Sequence, residues 1–192
     1  MSRLDLVAGP NGAGKSTFAQ EILAERLPGT LFVNANLIAF RRWPGDPEGH
    51  AFDAGKIAEA TRSALIENGK QFIAETVFSH PSKLALISKA QAAGYFVALH
   101  VLLLPQHLAV ARVAARVKQG GHSVPENKIR DRYQRLWPHV ATAATKVQSA
   151  AFWDNSTLRG PELVSELANG QLIGAPKWPS WTPDALTERF PS

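Results

Sequence analysis

Five apolar runs mark the chain, each separated from the next by stretches with helical spacing: Leu4 to Ala8, Leu31 to Ala35, Gln71 to Thr76, Tyr95 to Leu104, and Ala150 to Asp154. Runs that are apolar on both faces and alternate with helices predict a parallel sheet covered on both sides. Between them the spacing predicts a helix from Lys15 to about Leu27 that buries Phe18, Ile22 and Leu23 and stops at Pro28-Gly29. A second helix carries Ala51, Ala54, Ala58, Thr61 and Leu65 on one face and ends at Asn68-Gly69. A third spans Pro81 to Gly94, and a fourth runs from about Gln106 to Lys118. A fifth opens at Ser123-Val-Pro-Glu126, which has the spacing of a capping box, and Pro138 is expected to kink or break it. A short helix is expected near Pro161 to Ala168. Beyond Gly170 the chain is rich in proline and tryptophan (Trp178, Trp181), too aromatic for a disordered linker, and is expected to pack across the surface. The expected fold is α/β, with a five-stranded, mostly parallel sheet flanked by helices. Residues 1–170 form one domain with a lid about residues 117–126, and residues 171–192 form a tail.

The junction of the first strand and helix holds the chemistry. Gly9-Pro10-Asn11-Gly12-Ala13-Gly14-Lys15-Ser16, followed by Thr17, fits the phosphate-loop pattern G-x-x-x-x-G-K-[ST]. Glycines let main-chain N–H groups turn inward around phosphate oxygens, and the helix that follows presents its positive end to the same anion. Lys15 is expected to reach the β and γ phosphates, and the Ser16 hydroxyl to bind magnesium. A glycine-rich turn without a ligand would need neither the strand before nor the helix after. The reading is a P-loop nucleotide-binding fold that takes ATP or GTP with Mg2+.

Composition narrows the partners. The absence of cysteine excludes disulfides and thiolate metal sites, and the six histidines show no metal-ligand pair on one helix, so no zinc site is expected. A net charge of +5 fits either nucleic acid or arginines gathered around a nucleotide and a phosphorylated substrate. Without a Lys/Arg block or aromatic–basic interleaving, the second is preferred and no nucleic-acid partner is expected. No apolar stretch is long enough for a membrane span, and the start runs straight into the first strand. No signal or transit peptide is therefore expected, with a cytoplasmic location as the default.

Further pieces occur in a particular order: Val33-Asn-Ala-Asn36, Glu75-Thr-Val-Phe-Ser79, Arg112-Val-Ala-Ala-Arg116, Gly120-Gly-His-Ser-Val-Pro125, Ile129-Arg-Asp-Arg-Tyr133 and Asp154-Asn-Ser156. With the phosphate loop, they make residues 4–156 resemble zeta-toxin-like kinases, the toxin halves of bacterial toxin–antitoxin pairs. The resemblance implies a P-loop kinase fold, phosphorylation of a sugar hydroxyl on UDP-N-acetylglucosamine, and a cognate antitoxin. Relatives of this type carry Asn-x-Asp at the end of the second strand, with the aspartate as general base; here that position is Asn36. An amide cannot accept the proton, and a positioned base typically contributes about 10² to 10⁴ in rate. A weakened or inactive kinase is the expectation. Asn36 stands for a replaced aspartate, for a natural enzyme with another base, or for a non-catalytic nucleotide binder, and the sequence leaves the three open.

Other residues carry paired readings. Glu75 either pairs with an arginine to hold the sheet or, with Thr76 and Ser79, lines the acceptor pocket; the resemblance favours the pocket, with Glu59 a weaker candidate. Arg112 and Arg116 share a helical face and precede a glycine hinge, so Arg116 is expected to neutralise the transferring phosphoryl group, with Arg112 second. One of Arg130 and Arg132 is expected to reach nucleotide, Tyr133 and Leu136 to pack, and Asp154-Asn-Ser156 to meet the phosphate loop or base, or only to end a strand. Three functions follow in order: a kinase of zeta-toxin type, a kinase for another small hydroxyl compound, and a nucleotide-dependent regulator without turnover.

Overall fold

Leu4, Leu6, Val7 and Ala8 are fully buried, so β1 (Arg3–Ala8) lies enclosed on both faces, as a central parallel strand must. The computed structural model describes residues 2–119, 121 and 123–192. In it β1 pairs in parallel with β3 (Phe72–Thr76) on one side and β4 (Phe96–Leu103) on the other. The short β2 (Leu31–Val33) lies outside β3, and β5 (Ser149–Asp154) outside β4. Asp5 is a buried charge within β1. Burial pushes its carboxyl up, but hydrogen bonds accepted from Arg3 at 2.7 Å and from His100 at 2.9 Å prevail and hold it below the usual carboxylate range.

The sheet has seven strands rather than five. Its order is β2-β3-β1-β4-β5-β6-β7, and the two added strands are antiparallel. β6 (Glu162–Ala168) occupies the segment expected to be a short helix. Its Glu, Leu and Ala residues favour a helix locally, but β5 presents an open edge, and pairing with that edge overrides propensity. Ser165 and Leu167, two apart, are buried, which is the strand period. β7 (Gln171–Leu172) continues the sheet, so the tail begins as a strand.

Helices cover both faces. The first runs as α1 (Lys15–Thr17), a π-wound segment (Phe18–Leu23) and α2 (Ala24–Arg26), and buries Phe18, Ala19 and Leu23. With α6 (Gln106–Lys118) it covers one face through Val7, Phe18, Ile73, Leu102 and Val113. The opposite face is packed by α4 (Ala51–Glu67), α5 (Ser82–Ala92) and α7 (Glu126–Ala144) over Leu6, Phe72, Leu99, Leu136 and Phe152. An unexpected helix, α3 (Ala35–Arg42), follows β2 directly, because Asn34 accepts a bond from the Leu37 N–H at 3.1 Å and caps it.

α7 passes through Pro138 without ending. The bond lost to the Gln134 carbonyl is tolerable because Gln134 and Pro138 both face solvent, while Leu136, Trp137 and Val140 anchor the helix on either side. The Trp178 indole meets Phe152 edge-on at 5.2 Å and donates to the Phe190 carbonyl at 2.9 Å. α8 (Asp184–Thr187) inserts Leu186 fully into the same core. None of the helices among the described residues is long and apolar enough to cross a membrane.

Leu186→Ala should therefore cost about 2–5 kcal/mol by leaving a cavity under the tail. Urea unfolding of the two proteins checks this, and a loss below about 1 kcal/mol would show the tail to be only loosely held.

Candidate active site

The sheet changes winding direction at β1, since the chain leaves β1 for β2 on one side and later adds β4 on the other. A crevice opens outside the strand ends at such a point, and the phosphate loop lies in it. Gly9 (φ 148°) passes so close to β4 that a Cβ would sit 2.6 Å from the Leu102 carbonyl oxygen. Gly14 starts α1 in the left-handed region (φ 81°), where a Cβ would lie 2.8 Å from the Asn155 amide. That amide donates to the Ala13 carbonyl at 2.9 Å, so Asn155 reaches the phosphate loop and does more than end its strand.

The cleft has a volume of about 600 Å³. Asn11, Gly12, Gly14, Lys15, Ser16 and Thr17 form its floor. Gly9, Pro10 and Ala13, expected to bind nucleotide, are buried beneath and shape the loop without reaching the cleft. Asn36, Glu75, Thr76 and Ser79 stand on one wall, and Arg112, Arg116 and Arg132 on another. Arg112 packs near Gly12 and donates weakly to the Ser156 carbonyl at 3.5 Å. Arg130 turns away and pairs with Glu126 at 2.7 Å on the surface, so Arg132 is the arginine of α7 at the cleft. Glu59 is exposed and does not line the cleft; Arg62, one turn further along α4, does. The lid expected about residues 117–126 includes Gly120 and His122, which lie outside the described residues.

At the foot of the cleft one carboxylate gathers three strand ends. The Ser16 hydroxyl donates to Glu75 at 2.6 Å, the Asn34 amide donates to the same carboxylate oxygen, and Lys15 lies 3.9 Å away. Glu75 thus stands in the corner beside Ser16 as much as on the wall with Asn36, Thr76 and Ser79. The donor set fits Mg2+, which takes one or two carboxylates with hydroxyl, water and phosphate oxygens. Among the described residues no cluster of three or more His, Cys, Asp or Glu offers a protein-only metal cage. Thr76 accepts from the Phe78 N–H at 3.1 Å across a tight bend. Phe78, fully buried, is held there at φ 65°, a conformation that costs such a residue about 1–3 kcal/mol and is typical of functional turns. The bend carries Ser79 to the cleft wall.

Lys15 is buried and donates to the Pro10 carbonyl at 2.9 Å. Burial lowers its pKa; Glu75 opposes that fall, and Arg116 and Arg132 add to it. Sequence reasoning missed Asn34, Arg62 and Lys83 as wall residues, although Asn34 at a strand–helix junction is a readable cap signal.

The zeta toxin family model matches residues 50–156. An uncharacterized protein of Haemophilus influenzae is 30% identical over 129 residues, covering 65% of this chain and 88% of that protein. Among solved structures, the AvrRxo1-ORF1:AvrRxo1-ORF2 crystal structure with ATP superposes with TM-score 0.70 at 14% identity, over 100% of this chain and 64% of that one. This chain thus spans less than two thirds of that chain's length. The PezAT chromosomal toxin–antitoxin system of Streptococcus pneumoniae superposes with TM-score 0.66 at 15% identity, over 99% of this chain and 78% of that one. Shikimate kinase from Acinetobacter baumannii gives TM-score 0.54 at 20% identity, over 83% and 86%. These likenesses establish a P-loop kinase fold.

The lowered pKa of Lys15 has a signed consequence. Between its folded value and the ordinary value of about 10.4, the unfolded chain binds more protons, so nucleotide-free stability rises with pH across that alkaline window. Lys15→Met should flatten this rise. Urea unfolding of both proteins at stepped alkaline pH measures it, and parallel profiles would refute the assignment.

Proposed function

The chain belongs to the zeta toxin family, and on that premise we propose that it is a kinase acting on UDP-N-acetylglucosamine with ATP or GTP, as the toxin of a toxin–antitoxin pair. The observation that carries this reading is the Ser16–Glu75 bond of 2.6 Å at the end of the phosphate loop, beside a buried Lys15. A hydroxyl and a carboxylate so placed are the pair that holds Mg2+ in P-loop enzymes, and the ion when bound neutralises charge on the β and γ phosphates. The ATP complex of the AvrRxo1 pair and the toxin–antitoxin context of PezAT support the nucleotide and the protein partner as expectations.

The roles divide by wall. Main-chain N–H groups of the loop and Lys15 grip the triphosphate tail. Arg116, with Arg112 and Arg132, balances charge on the group in transfer. Asn36, exposed in the first turn of α3, orients the acceptor hydroxyl, with Thr76 and Ser79 beside it. Glu75 is the single carboxylate lining the cleft among the described residues, and it is already engaged by Ser16 and Asn34. With no free base beside the acceptor position, turnover by this sequence is slow. Asn36 also motivates a second reading, a regulator that binds nucleotide without transferring it.

Radiolabelled ATP incubated with UDP-N-acetylglucosamine and a panel of other hydroxyl compounds separates these. Asn36→Asp should raise transfer to the nucleotide sugar by about 10² or more. Equal rates in the two forms would refute the role given to position 36. Firm ATP binding with no transfer by either form would select the regulator.

A further inference from the structure

The charge in the cleft exceeds what one triphosphate requires. Six cationic side chains line it, Lys15, Arg62, Lys83, Arg112, Arg116 and Arg132, against the one carboxylate of Glu75. Four of them come from the phosphate loop, α6 and α7. Arg62 and Lys83 come from α4 and α5, which flank β3 in the chain, and they stand with Thr76 and Ser79. Arg62 is only 7% exposed, and among the described residues its guanidinium makes no hydrogen bond or ion pair. Glu59, the nearest acid on its own helix, is exposed and is not within ion-pair distance.

Arg62 is largely desolvated, yet its nitrogens are not among the fully buried unpartnered atoms, so its guanidinium opens on the cleft, where an anion would offset the cost of that desolvation. Burial lowers the pKa of both Arg62 and Lys83, and Arg62 adds to the lowering at Lys83; Glu59 alone opposes it at each. Ala58 and Gly55, one and two turns before Arg62 on the same face, leave the wall open in front of it.

Resting on the kinase reading above, we propose that Arg62 and Lys83 form a second anion position, which receives a phosphate group of the acceptor. The planar fork of Arg62 takes two oxygens of that group, and Lys83 adds a point charge. The pair thereby selects phosphorylated acceptors over neutral ones and fixes which hydroxyl faces the γ-phosphate. Arg62 and Lys83 act on binding and orientation, not on the bond that breaks.

Calorimetry on protein saturated with a non-hydrolysable ATP analogue and Mg2+ tests this, with inorganic pyrophosphate as the probe. Wild type should bind it, and Arg62→Gln and Lys83→Gln should each weaken that binding about tenfold or more while nucleotide affinity changes less than about twofold. Arg62→Lys should fall between, because it keeps charge and loses the fork. Retained nucleotide affinity also shows that each variant is folded, and Lys83→Gln, at a less buried position, stands if Arg62→Gln does not. Unchanged pyrophosphate binding in the variants, or none by the saturated wild type, would overturn the proposal. So would an equal loss of nucleotide and pyrophosphate affinity, which would assign both residues to the triphosphate. Failure of the kinase reading itself would show earlier, as wild type that takes up no nucleotide.

Discussion

Glu75 ties the ends of three strands into one site. It leaves β3 to meet Ser16 at the start of α1 and Asn34 at the end of β2, within reach of Lys15. Without that carboxylate, the Ser16 hydroxyl would lose its acceptor at a half-buried point, and the Asn34 amide would keep only a long contact to that hydroxyl at 3.4 Å. An unmade bond in such a place costs about 1–3 kcal/mol, and more for a charge. The parallel order β2-β3-β1 brings the groups side by side: Asn34 directly follows β2, Glu75 is the next-to-last residue of β3, and Lys15 and Ser16 open the helix that the loop after β1 leads into. Fold and site therefore rest on the same contacts.

Around this anchor the cleft is built for anions. Lys15, Arg62, Lys83 and Arg132 each lose hydration to burial, which lowers their pKa values and disfavours their charged forms. Low dielectric walls strengthen whatever negative charge then enters. Part of the positive net charge of the chain thus has a structural address in these residues. The left-handed bend at Phe78 belongs to the same economy of placement, since strain there sets the wall that Ser79 presents.

Much of this was legible in the sequence. The five apolar runs lie in β1 to β5, and Gly9 to Ser16 announced the loop because strand, glycines and helix come in fixed order. What stayed hidden depended on partners distant in the chain. Residues 162–168 read as helix by composition, and only the vacant edge of β5 makes them a strand. Pro138 signals a break, yet the side of α7 that it occupies decides that none occurs. Arg62 drew no notice in the sequence, because nothing local distinguishes an arginine facing solvent from one facing a crevice. Glu75 was read as an acceptor-wall residue, and its bond to Ser16 spans 59 positions that no periodicity reports.

Asn34 carries two duties with one amide: its oxygen caps α3, and its nitrogen holds Glu75. Mutational drift at this position is consequently hemmed in from both ends. Aspartate would keep the helix start but set two negative groups face to face, and serine would keep the start but fall short of the carboxylate. The onset of α3 and the corner beside Ser16 are therefore mechanically geared, so that neither shifts in evolution or in motion without dragging the other along.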